Sequence, residues 1–231
     1  MAAVQLNGIH AVVFDLDDTL YPERSYAFSG FEAVAAWLEE RFCCPFGVAK
    51  RMRELFDTPH RPRVFDQILT ELDQDPAPDL VGRMVEVYRR HKPTIALFPD
   101  ADDALRRWHG GYRLGLVSDG PLTAQQNKVE ALGLADRMDR IVLTDAWGTT
   151  FWKPHPRAFE ELENAFNCRK SACVYIADNP QKDFVGPRKM GWRTIRIRRP
   201  GGVYEHAASI SDGEPDFEVA SLAEIGLSSY S

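Results

Sequence analysis

Four short, mostly apolar runs stand at residues 9–14 (IHAVVF), 112–117 (YRLGLV), 140–143 (RIVL) and 172–177 (ACVYIA), each followed by polar or acidic residues. Runs of this length predict strands buried on both faces. Between them lie helix-length stretches at 100–109, 122–132, 156–166 and 182–190, the last disturbed by Pro187. Strands alternating with helices predict an α/β fold built on a doubly wound parallel sheet.

Residues 21–95 break this rhythm. Apolar positions such as Phe31, Val34, Ala35, Leu38 and Phe42 recur there at helical spacing, with no strand pattern. The expectation is a core of residues 1–20 and 96–231 that carries an inserted helical domain over 21–95. Its helices fall at 27–42 and 79–91, separated by a span that includes TPHRPR at 58–63, and the chain returns to the core near Pro93 and Pro99.

Beyond Gly191, the run TIRIRR puts Thr194, Arg196 and Arg198 on one face of a strand and Ile195 and Ile197 on the other. These arginines read as a solvated face that protects a sheet edge. Residues 201–213 read as a loop, and PDFEVASLAEIGL as a last short strand and helix.

Composition narrows the function classes. A length of 231 residues with 44% hydrophobic residues suits a globular protein, and there are no internal repeats or low-complexity tracts. A net charge of -6 gives no basic footprint, which argues against nucleic acid as a partner. Cys43, Cys44, Cys168 and Cys173 fit neither a disulfide framework nor zinc spacing, and read as reduced thiols. The start MAAVQLNGIH lacks a signal pattern and no apolar run reaches membrane-spanning length, so the expectation is a cytoplasmic protein with no membrane partner. The sequence says nothing of oligomeric state.

Candidate chemistry gathers at the strand ends. In FDLDDTL, Asp15 and Asp17 are two residues apart at the end of an extended segment and can face one site, while Leu16 and Asp18 face elsewhere. Ligands of a parallel sheet bind at the carboxyl ends of its strands. The second candidate strand ends at Ser118, the third is followed after a loop by Lys153, and the fourth ends at Asp178, with Asp183 five residues later. A phosphate monoester needs a nucleophile, a proton donor for the leaving oxygen, and positive charge or donors around the phosphoryl oxygens. This set can supply all three.

With DLDDT at 15–19, Ser118 in LVSDG, Lys153 in WKPHP and DNPQKD at 178–183 in that order, the chain resembles the haloacid dehalogenase-like hydrolases. The resemblance covers the core from residue 9 to about 198. The resemblance implies a Rossmann-like core whose helical insertion acts as a cap. It also implies that Asp15 attacks phosphorus to form an aspartyl-phosphate and that Asp17 serves as general acid and then base, with a pKa raised relative to that of Asp15. Ser118 would hydrogen-bond a phosphoryl oxygen, Lys153 would hold the nucleophile and phosphoryl group, and Thr19 would contribute through the phosphate loop. A magnesium ion would sit between the Asp15 side chain, the Asp17 backbone carbonyl and Asp178, supported by Asp183, with no other cofactor. Ala177 and Asp119 replace the glycine and asparagine the family often has there.

The function expected is a magnesium-dependent phosphatase acting on a small phosphorylated metabolite. A phosphomutase would use the same aspartyl-phosphate and differ in how the cap excludes water. A haloacid dehalogenase has no need of Asp17, and a non-catalytic phospho-acceptor or phosphate-binding module is a further alternative, against whose long-lived phosphoryl state a water-activating Asp17 argues. Ser118 follows G-x-x-S-x-G spacing rather than G-x-S-x-G, with no histidine placed as its base. Single residues have plainer readings: Asp18, Asp100 and Asp119 as caps or turns, Trp147, Phe151 and Trp152 as packing, and Arg24, His60, Arg61 and Arg63 as solvated surface.

Overall fold

A computed structural model describes residues 4–42, 47–58 and 60–228. Cys43 and Cys44 lie outside the described residues. The strands are β1 (Val4–Asn7), β2 (Ala11–Phe14), β3 (Arg113–Ser118), β4 (Arg140–Leu143), β5 (Cys173–Ala177), β6 (Arg193–Ile197), β7 (Phe217–Val219) and β8 (Ile225–Ser228). The helices are α1 (Glu23–Glu39), α2 (Val48–Phe56), α3 (Val64–Glu71), α4 (Pro78–Arg90), α5 (Pro99–Trp108), α6 (Leu122–Ala131), α7 (Arg157–Phe166) and α8 (Val185–Met190). None of the described helices is long and apolar enough to cross a membrane.

Six strands form one parallel sheet in the order β4-β3-β2-β5-β6-β7. The α/β class and the parallel sheet agree with the sequence pattern, because β2 and β5 are buried at every position and carry apolar residues on both faces. On one face Ala11, Val13, Cys173, Tyr175 and Ala177 pack with Phe159 and Leu162 of α7. On the other, Phe14 stacks on Trp108 of α5 at 5.9 Å. Chain order runs outward from β2 through β3 and β4, then jumps back across it to β5. The carboxyl end of β2 is therefore a switch point, the place where such sheets open a crevice for ligands.

The chain divides into two compact units, Met1–Glu23 with Ala96–Ser231, and Arg24–Ile95. The second has its own core, in which Phe31, Val34 and Leu38 of α1 pack with Met52 of α2, Ile68 of α3 and Met84 of α4. It contains α2 and α3, which the sequence pattern did not resolve. Arg24 pairs with Asp57 at 2.9 Å and Arg61 stacks on Phe56 at 4.1 Å, while His60 and Arg63 are exposed.

The expected solvated arginine face on β6 is incorrect. β6 is not an edge, because β7 pairs beyond it, and Arg196 is only 1% exposed. Its guanidinium donates to the carbonyls of Tyr204 and Ala207 at 2.7 and 2.9 Å, tying down the 199–207 loop. Replacing Arg196 by Met should cost about 2 kcal/mol, measured by urea unfolding, because two part-buried carbonyls lose a charged donor. Protease sensitivity should rise within residues 199–213.

The strand expected in PDFEVASLAEIGL is β7, but the helix expected after it needs correction. Residues after Val219 form a short 3-10 turn at Leu222–Glu224, then β8, which pairs in parallel with β1 as a separate two-stranded sheet. Cys173 is buried and its thiol pushed up to about 12 by burial, and Cys168 is also a free thiol. Both suit reduced structural cysteines.

Candidate active site

Past the end of β2, the Asp15 amide donates to the Ile176 carbonyl at 2.9 Å, so the ladder with β5 continues to the first carboxylate. The chain then turns sharply. Asp18 adopts φ 50°, and its carboxylate accepts the Glu23 amide at the start of α1 and the Val203 amide, each at 2.8 Å. Its capping reading is correct, and it also ties this turn to the loop after β6.

Asp15 and Asp17 then line one small cavity of about 130 Å³ with Glu23, Asp119, Asp178, Asn179, Lys182 and Tyr204. Ser118, Lys153, Asp183 and Thr19 are not among its lining residues, and each is 5% exposed or less. Lys153 has a fully buried ammonium, which hydrogen-bonds Asp15 Oδ1 and the Tyr175 hydroxyl (2.9 Å) and pairs with Asp183 Oδ1 at 2.8 Å. Burial would lower its pKa, but Asp15 and Asp183 outweigh that and hold it well above the ordinary lysine value.

Carboxylate oxygens of Asp15, Asp178 and Asp183 all lie within 4.8 Å of one another. Burial, with the neighbouring carboxylates, pushes Asp15 up to about 7 despite Lys153, and raises Asp178 as well. Three buried carboxylate oxygens are a hard donor set of the kind divalent cations take, and a cation there would offset the repulsion that raises Asp15 and Asp178.

Asp17 departs from expectation. Burial would raise its pKa, but the Lys128 ammonium and hydrogen bonds from Lys128 and Tyr21 bring it below the usual carboxylate value. The order expected for the two carboxyls is therefore reversed in the structure, because Asp17 has acquired a buried cation that the motif did not reveal. Lys128 donates to both Asp17 oxygens at 2.7 and 2.9 Å.

Asp119 is not a cap either. It accepts the Thr144 hydroxyl (2.8 Å) and the Lys153 backbone amide (3.1 Å), and pairs with Lys182 at 2.7 Å. Where the family often has asparagine, this chain thus uses a carboxylate to hold a second lysine at the cavity. The Ser118 hydroxyl donates to Gln125 Oε1 at 3.2 Å. Asp100 accepts a two-pronged pair from Arg199, at 2.7 and 2.9 Å, which anchors the start of α5. Trp147 and Phe151 stack with Arg157, as packing residues would.

Sequence reasoning missed Tyr21, Lys128, Lys182 and Tyr204. Lys128 left one signal: residues 124, 128 and 132 form a single helical stripe, and the lysine sits between Ala124 and Leu132 where an apolar residue belongs. Lys182 lies inside DNPQKD and was visible as a charge beside Asp183. Tyr204 carried no signal, because the buried arginine that holds its loop looked exposed.

A parallel sheet with two carboxylates at the end of its central strand, a buried lysine from the segment that follows β4 and further carboxylates beside them defines a class of hydrolase. The chain belongs to the haloacid dehalogenase-like hydrolase family, whose model matches residues 9–191. It is 31% identical over 220 residues to a glyceraldehyde 3-phosphate phosphatase of Methanopyrus kandleri, covering 91% of this chain and 93% of that protein. It is 29% identical over 206 residues to a phosphoserine phosphatase of Thermus thermophilus, covering 87% and 70%. Among solved structures it resembles a 2-haloacid dehalogenase from Pseudomonas syringae pv. Tomato DC3000, with TM-score 0.63, 26% identity and coverage of 94% and 96%.

Proposed function

We propose that this protein is a magnesium-dependent phosphatase that hydrolyses a small phosphorylated metabolite through an aspartyl-phosphate on Asp15. The observation that carries the reading is that Asp17, an acid/base group for which halide displacement has no use, lines the same cavity as Asp15. The phosphatases among its relatives support it.

In the first step an Asp15 oxygen bonds to phosphorus as the ester P–O bond breaks, and Asp17 passes a proton to the leaving oxygen. Asp17 is held anionic at rest, so that proton arrives with a substrate bound as its monoanion, phosphate esters having a second pKa of about 6. In the second step water attacks phosphorus and yields its proton to Asp17, releasing phosphate and restoring the Asp15 carboxylate. Lys153 steadies Asp15 throughout. Lys182, with 35% of its side chain exposed at the cavity, offers a second ammonium to the phosphoryl oxygens. Ser118 would turn its hydroxyl from Gln125 to one of them.

Asp15, Asp178, the Asp17 backbone carbonyl and the neighbouring Asp183 would hold magnesium. When bound, it supplies positive charge that draws the substrate phosphate to Asp15 and stabilises charge developing in transfer. The helical unit Arg24–Ile95 is proposed to act as a cap that selects the substrate.

The test is a screen of purified protein against phosphorylated metabolites, scored as free phosphate with magnesium and with chelator. Magnesium-dependent release is expected. A folded protein that releases no phosphate from any of them, or that releases chloride from a chlorinated acid instead, would overturn the reading.

A further inference from the structure

One face of α6 reaches two members of the site. Gln125 accepts the Ser118 hydroxyl, and three residues on, Lys128 donates to both oxygens of Asp17. The approach is close enough that a Cβ on Gly120, which has φ 121°, would meet Gln125 Nε2 at 2.4 Å. The Tyr21 hydroxyl also donates to Asp17 Oδ1, and the Lys128 ammonium lies 5.9 Å from the Tyr21 ring centre.

The lysine side chain is only 6% exposed, against 23% for Asp17. Lysine is almost never fully buried unless paired, and exchanging a buried ion pair for apolar residues is often neutral or stabilising. Stability alone therefore does not account for a lysine between Ala124 and Leu132. Asp17 Oδ1 takes both Tyr21 and Lys128, whereas Oδ2 carries a hydrogen bond from Lys128 alone among the described residues.

We propose that Lys128 is a positioning residue, which with Tyr21 fixes the Asp17 carboxylate so that Oδ2 is the oxygen that gives and takes the proton. This rests on the phosphatase reading above. Lys128 touches neither substrate nor phosphorus, and acts only through Asp17.

The experiment follows p-nitrophenyl phosphate by stopped flow with magnesium present. Nitrophenolate leaves without a proton, so the first step does not need Asp17 and the second does. In Lys128→Met the initial burst should keep its rate within about threefold, while steady-state turnover falls about 30-fold, the order of loss expected from a misplaced catalytic group. Tyr21→Phe should show the same split with a smaller loss, and Lys128→Arg should recover most of the turnover. Burst and steady state falling by one common factor would overturn the proposal, and Tyr21→Phe decides by the same comparison if Lys128→Met does not fold. Wild-type protein that yields no nitrophenolate refutes the phosphatase reading instead. The crystal structure of Lys128→Met, or of Tyr21→Phe if that variant alone folds, then decides: a rotated Asp17 carboxylate upholds the proposal and an unmoved one overturns it.

Discussion

Asp15→Asn should abolish phosphate release, by a factor of at least about 10⁴, as loss of a covalent nucleophile does elsewhere. The fold should survive. Asparagine keeps the shape of the side chain and an oxygen for Lys153, and it removes one of three crowded carboxylates. Burial and the neighbouring Asp183 both oppose a charge on Asp15, so its replacement by a neutral group that still accepts from Lys153 should not lower the melting temperature. Activity lost while thermal stability is kept, read by phosphate assay and calorimetry, is the expected pair of results. Retained release would mean that some other group attacks phosphorus.

Lys153→Met should do both kinds of damage. The ammonium is fully buried and faces Asp15, Asp183 and the Tyr175 hydroxyl, so its removal leaves two carboxylates without their cation. Breaking a buried pair by deleting one partner costs about 3–5 kcal/mol. For a chain of this size that corresponds to a fall of roughly 10 °C in melting temperature. Adding Asp183→Asn to Lys153→Met should recover part of the stability but none of the activity, because the partners share one network. Thermal unfolding of the two variants checks the first half and phosphate release the second. A Lys153→Met protein as stable as wild type would contradict the buried-pair account.

The parts of this protein that were legible in its sequence are those where one residue type has one physical use. β2, β3 and β5 announced themselves because a strand covered on both faces has little but apolar residues. The two carboxylates of FDLDDTL face one cavity as their spacing required. β1 and β8 were missed because neither is a continuous buried apolar run, buried positions alternating with exposed ones in β1 and only Ile225 being buried in β8, and because their pairing joins residues more than 200 apart along the chain. Long polar side chains defeated the pattern most often. Arg196 looks solvated in sequence and Lys128 shows only that it sits on an apolar stripe, since nothing local names the carbonyl pair or the carboxylate that awaits them inside. The pKa order of Asp15 and Asp17 failed for the same reason: it depends on Lys128, which is 111 residues away along the chain.

The central claim is that Asp15 becomes phosphorylated during turnover. Turnover with a good substrate and magnesium should be stopped with acid, the acyl phosphate reduced with borohydride, and the peptide that contains FDLDDTL sequenced by mass spectrometry. A reduced residue at position 15, absent without substrate, is the result the account predicts. Product formation with residue 15 unmodified at every quench time, or with the label at another side chain, would contradict it.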